Sequence, residues 1–89
     1  TDLGVMYRRS GDPQKALETF DKAMSMDSSH APSRFNKGIV LHFDLGKTEE
    51  AIKSWQSVLA INPDYQTANG MPLADLIAQV QAQASESSN

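Results

Sequence analysis

Apolar residues in this chain recur with the period of an α-helix, and they do so twice. Ala16, Leu17, Phe20, Ala23 and Met24 form one set; Ala51, Ile52, Trp55, Val58 and Leu59 form the other. Both follow i, i+1, i+4, i+7 and i+8, which lays one stripe along a helix of about 3.6 residues per turn. Each stripe has a start signal. Asp12 can cap the first helix, with Pro13 at the first helical position, where a missing N–H costs nothing. Thr48 is the expected cap of the second, with Glu49 and Glu50 favourably placed at the positive end of its dipole. Asn62-Pro63 ends that helix, because the residue before a proline avoids the α region. Glu18 with Lys22 and Glu49 with Lys53 stand four apart on the outer faces, pairs worth only about 0.2–0.5 kcal/mol each.

The correspondence extends beyond the stripes. A shift of 35 superposes Gly11 on Gly46, Ala16 on Ala51, Phe20 on Trp55, Met24 on Leu59 and Asp27 on Asn62. A shift of 34 superposes Gly4 on Gly38, Val5 on Ile39, Met6 on Val40 and Tyr7 on Leu41. The change of register places one extra residue near Asp44 and Leu45, just before Gly46. The chain therefore reads as a tandem repeat of helix–turn–helix units, with first helices over roughly 1–10 and 32–44. Gly4 and Gly38 mark close helix approaches, Ala16 and Ala51 keep the facing positions small, and Phe20 and Trp55 fill the gap between units. Met24 and Met26 recur as Leu59 and Ile61, which assigns them to the core rather than to an adaptable methionine surface.

After Pro63 the pattern changes. Asn69-Gly70 followed by Pro72 signals a turn before a new helix. Leu73, Leu76, Ile77, Val80 and Ala84 then form one narrow apolar stripe, with Gln79, Gln81 and Gln83 off it. This suits a capping helix over 72–84, which covers the last unit as a solenoid requires. The alternative is that the helix folds back onto the free face of the first helices; the cap is favoured. The expected fold class is all-α, a right-handed superhelical helix-turn-helix solenoid with a C-terminal capping helix. It forms a single domain over 1–84, made of unit one (1–30), unit two (31–65) and the cap, with 85–89 as a disordered polar tail. The chain opens at Thr1 rather than Met, so it reads as part of something longer with a truncated first helix.

Composition narrows the function. The net charge is −3, and a non-specific nucleic-acid binder needs a basic surplus to neutralise phosphates. Without cysteine there is no disulfide, thiolate metal site or thiol catalysis. No apolar run approaches the ~20 residues that span a bilayer, so a soluble domain, cytoplasmic or periplasmic, is expected. All eight Lys and Arg lie in residues 1–53; residues 54–89 carry only Asp64, Asp75 and Glu86.

Leu3-Gly4, Tyr7, Gly11, Ala16, Phe20 and Ala23 in unit one, with Gly38, Leu41, Gly46, Ala51, Trp55 and Pro63 in unit two, together resemble the tetratricopeptide repeat, a unit of about 34 residues. There are departures. Ser28 replaces a proline, Lys37 replaces the Leu before Gly38, Val58 replaces a small residue, and Arg34 stands where the family usually has Trp. The resemblance implies a non-catalytic scaffold, of the kind frequent in bacterial assembly and cytochrome-maturation factors, that holds a peptide or a partner's helix on its concave face. The family's clamp for C-terminal carboxylates is incomplete here: Asn36 matches one element, but Val5 stands where unit one should supply Asn.

Other chemistries fit poorly. Leu45-Gly46-Lys47-Thr48 resembles the end of a phosphate-binding loop, but position 41 is Leu rather than Gly and a helix, not a strand, precedes it. His30 and His42 are the only imidazoles; His42 and Asp44 are two apart, which points them away from each other on a helix. His30 lies at the bend between units and reads as solvated. No nucleophile or carboxylate pair suggests an enzyme, and neither cofactor nor metal is expected.

The informative surface is the other face of the first helices. Phe35, Ile39, His42 and Phe43 make a stripe distinct from the side of Gly38 and Leu41, and two aromatics there are unexpected for a purely structural helix. With Val5, Arg8, Arg9 and Asn36 they form the expected partner-binding set: an apolar groove with a polar, basic edge. Arg8 and Arg9 have a second reading, as cations complementing a helix C-terminus. The alternative function is architectural, as internal repeats of a longer solenoid with no ligand of their own. Leu3, Tyr7 and Leu17, left partly uncovered, also suggest self-association through the N-terminal end.

Overall fold

The computed structural model describes residues 2–67 and 69–87, with side chains for residues 4–67 and 69–84. Leu3, Ser88 and Asn89, which enter the expectations above, have no described side chain. Five α-helices occupy the described residues: α1 (Asp2–Arg9), α2 (Pro13–Met26), α3 (Ala31–Ile39), α4 (Thr48–Ile61) and α5 (Leu73–Ser87). The last is three residues longer than its stripe, so 85–87 continue the helix where a tail was expected. Once nucleated, a helix gains one hydrogen bond for each residue added.

Unit one follows its local signals. Asp12 accepts the Lys15 amide at 3.1 Å, and Gly11 turns the chain at φ +86°, where a side chain would be strained. The bend between units is held by side chains. The Ser29 hydroxyl and amide both donate to Asp27, holding its carboxyl below the usual carboxylate range. Arg34 donates to the Ser28 carbonyl at 3.0 and 2.8 Å and to the Ser57 hydroxyl at 3.2 Å, tying the bend to α4. His30 is not a solvated bystander: its Nδ1 accepts the Ser33 amide at 3.3 Å and meets the Ser33 hydroxyl at 2.7 Å, capping α3. His30→Ala is expected to cost about 0.5–2 kcal/mol, read as a lower urea midpoint with unchanged m-value.

Unit two departs where the extra residue falls. The extra residue, expected near Asp44 and Leu45, is taken up as helix: α3 passes into a π turn over Val40–Asp44. The Leu45 amide reaches the Val40 carbonyl at 3.1 Å, the i→i−5 pattern of a π turn. The flanks are undisturbed. Lys47 N–H bonds the Leu41 carbonyl at 2.7 Å as Asp12 N–H bonds that of Tyr7 at 2.9 Å, with one more residue in between. Thr48 does not cap α4; the cap position is Lys47, which makes no side-chain cap bond. The Thr48 hydroxyl is instead 3.1 Å from His42 Nδ1.

Packing follows the glycine–aromatic pairs. A Cβ at Gly4 would overlap the Phe20 ring, and one at Gly38 would overlap the Trp55 indole, both closer than 3.0 Å. Each aromatic thus fills its own hairpin as well as the seam to the next element. Phe20 clusters with Ala16 and Val40; Trp55 clusters with Ala51, Val58, Leu73, Ile77 and Val80. Gly38→Ala is expected to destabilise despite alanine's better helix propensity of about 1 kcal/mol, because overpacking costs about 1–3 kcal/mol; a raised Tm would remove the packing argument. α5 stacks on α4 through Leu73, Ile77 and Val80, while Ala84 is exposed. Met26 is 80% exposed and Ile61 39%, so the ends of α2 and α4 overhang the core that was expected to include them. Neither expected i, i+4 pair closes. Among the described residues the ion pairs within 4.0 Å join different helices: Arg8 with Asp44 and Lys37 with Asp21, both at 2.7 Å.

Candidate functional site

The stripe on α3 and the π turn forms one wall of a pocket of about 390 Å³. Phe35, Ile39 and Phe43 line it from one side; Thr67, Asn69, Met71 and Leu76 close it from the other. Among the described residues no charged side chain contributes. Helical spacing puts the three apolar residues on one face, and Phe43 is 58% exposed at the pocket mouth.

The opposite wall is a small hairpin-like turn. Thr67 N–H donates to the Met71 carbonyl at 2.8 Å, Gly70 N–H to the Thr67 carbonyl at 2.9 Å, and Leu73 N–H to the Tyr65 carbonyl at 2.9 Å. The Thr67 hydroxyl donates to Asn69 Oδ1, which also accepts the Met71 amide at 3.3 Å. Tyr65 tilts against Phe35 with centroids 5.5 Å apart. Burial pushes its phenol up from the ordinary tyrosine range. Because the neutral phenol is the form the fold prefers, its contribution is complete below the ordinary value and is lost as pH rises through the raised one. An alkaline absorbance titration is expected to show a phenol ionising later than free tyrosine.

The other expected site residues lie elsewhere. Val5 is half-buried against Ala16, Phe20 and Val40, so it belongs to packing. Arg8 is held by Asp44, Arg9 is exposed, and Asn36 is half-buried on α3. His42 stacks edge-on against Phe43 at 4.5 Å and Trp55 at 6.0 Å, bonded to Thr48, and does not line the pocket. The wall formed by Thr67, Asn69, Met71 and Leu76 was absent from the expected set. Its signals were present separately: Asn69-Gly70 marked a turn, and Leu76 belonged to the last stripe. Among the described residues no group of three His, Asp or Glu could hold a metal ion, and no helix is long and apolar enough to cross a membrane.

Comparison with known proteins agrees with this architecture. Residues 1–30 and 31–65 each match the family model of the tetratricopeptide repeat. NADPH oxidase activator 1 of Rattus norvegicus is 32% identical over 59 residues, covering 66% of this chain and 13% of that protein. Anaphase-promoting complex subunit 3 of Schizosaccharomyces pombe is 34% identical over 64 residues, covering 72% of this chain and 10% of that protein. An uncharacterised protein of Methanocaldococcus jannaschii is 38% identical over 58 residues, covering 65% of this chain and 66% of that protein. The chain thus spans only about a tenth of the first two relatives. With both hairpins matched and each glycine–aromatic pair in contact, the chain belongs to the tetratricopeptide repeat family.

Proposed function

We propose that this chain is a non-catalytic docking module that holds a peptide or helix of a partner protein by inserting an apolar side chain beside Phe35, Ile39 and Phe43. Repeats of this family generally mediate protein–protein interaction and are typically scaffolds rather than enzymes. The observation that carries the reading is the uncharged pocket of about 390 Å³. It is lined mainly by apolar side chains, with a large ring left accessible at its mouth, and buried aromatic anchors dominate binding energy. Peptides selected on phage against the wild-type chain are expected to share a large apolar residue and to lose about 2 kcal/mol of affinity on Phe43→Ser. Selected peptides that bind Phe35→Ala and Phe43→Ser variants unchanged would remove the proposal.

Met6 favours a second, architectural reading. It aligns with Val40, which is fully buried against Ala16 and Phe20 of the preceding unit, yet Met6 itself is 64% exposed. A preceding hairpin or a second copy of the chain would cover it. Sedimentation at low micromolar concentration discriminates self-association: a dimer that dissociates on Met6→Glu supports it, and a clean monomer removes it.

A further inference from the structure

We infer that the groove between α2 and α4 is a second docking surface, one that takes an acidic segment of a partner protein carrying an apolar side chain. The groove measures about 510 Å³ and is floored by Leu17, Met24 and Leu41. Its α3 lining, Arg34 and Lys37, lies on a different helical face from Phe35 and Ile39, so it is separate from the pocket above.

Its charge is the anomaly. Arg34, Lys37, Lys47 and Lys53 all line it, half of the eight basic residues in a chain of net charge −3. The lining carboxylates are Asp21 and Glu50, and Asp21 is already held by Lys37 at 2.7 Å. Arg34 is committed to Ser28 and Ser57. Lys47 and Lys53 form no ion pair among the described residues and are exposed at the groove wall.

The internal repeat shows that packing did not require these lysines. At a shift of 35, Lys47, Glu50 and Lys53 stand where unit one has Asp12, Lys15 and Glu18, so every charge is inverted while the apolar stripe is kept. The inversion has a cost. Asp12 caps α2, whereas Lys47 makes no cap bond and puts a cation at the positive end of α4. Local rules are broken in this way where a surface serves something other than folding. An apolar floor beneath free ammonium groups complements carboxylates flanking an apolar side chain.

The test is a titration of the ¹⁵N-labelled chain with a synthetic peptide alternating Glu and Leu, beside its Lys and Leu counterpart and a single-stranded oligothymidylate. The Glu/Leu peptide is expected to shift the amides of Leu17, Met24, Lys47 and Lys53. It is expected to lose about tenfold in affinity when ionic strength rises from about 0.05 M to about 0.5 M. The double variant Lys47→Asp, Lys53→Glu, which installs the residues of unit one and gains a cap, is expected to weaken binding at least about tenfold without lowering Tm. Spectra unmoved by the Glu/Leu peptide, equal binding of the Lys/Leu peptide, tighter binding of the oligonucleotide, or full affinity in the double variant would each overturn the inference.

Discussion

Trp55→Ala is expected to lower the unfolding free energy by about 3–5 kcal/mol, the largest single-residue effect in this chain. The indole is fully buried, it fills the space that Gly38 leaves on α3, and its Nε1–H donates to the Phe35 carbonyl at 3.1 Å. It also contacts the core that α5 completes, so removing it opens a void between three helices at once. Small domains have only about 5–15 kcal/mol in total, and a loss of this size leaves the chain near its unfolding threshold. Trp55→Phe separates the contributions, because it keeps most of the ring and loses the hydrogen bond, worth about 0.5–1.5 kcal/mol net. Thermal unfolding followed by circular dichroism reads both. A shift of a degree or two for Trp55→Ala would mean that the indole is not a packing centre.

Leu73→Ala is expected to cost about 2–5 kcal/mol. Leu73 is fully buried at the start of α5, in the same cluster as Trp55 and Val58. A solenoid of two hairpins has little core of its own, and nearest-neighbour stacking makes the terminal helix part of its stability rather than an appendage. Trp55 is the only tryptophan, so its emission reports the seam directly. A red shift in the folded state would show α5 loosened from α4; an unchanged spectrum and midpoint would show that α5 is not needed. Ala84→Ser, on the exposed flank of the same helix, is expected to stay within about 0.5 kcal/mol of wild type.

Legibility in the sequence tracked the range of the interaction. The cap at Asp12 and the stop at Asn62-Pro63 depend on neighbours a few residues away, and each formed as read. Thr48 shows the limit: its composition suits a cap, but the turn placed Lys47 there and gave the hydroxyl to His42. Val5 and His42 belonged to the expected groove by helical spacing, yet the core of its own hairpin with Val40 claimed the first and Trp55 with Thr48 claimed the second. Spacing tells which residues share a face but not what covers it.

Periodicity, the two glycine–aromatic pairs and the internal repeat were sufficient by themselves to determine an all-α chain of stacked hairpins with Phe20 and Trp55 inside. These are properties of one helix, or of two helices joined by a short turn, and local geometry encodes them fully. The tertiary structure alone decided that the extra residue becomes a π turn, that Arg8 is held by Asp44, and that Thr67, Asn69, Met71 and Leu76 close the pocket facing Phe43. The last two join elements far apart in the chain, where the winning contact depends on how helices stack and not on any spacing along the sequence.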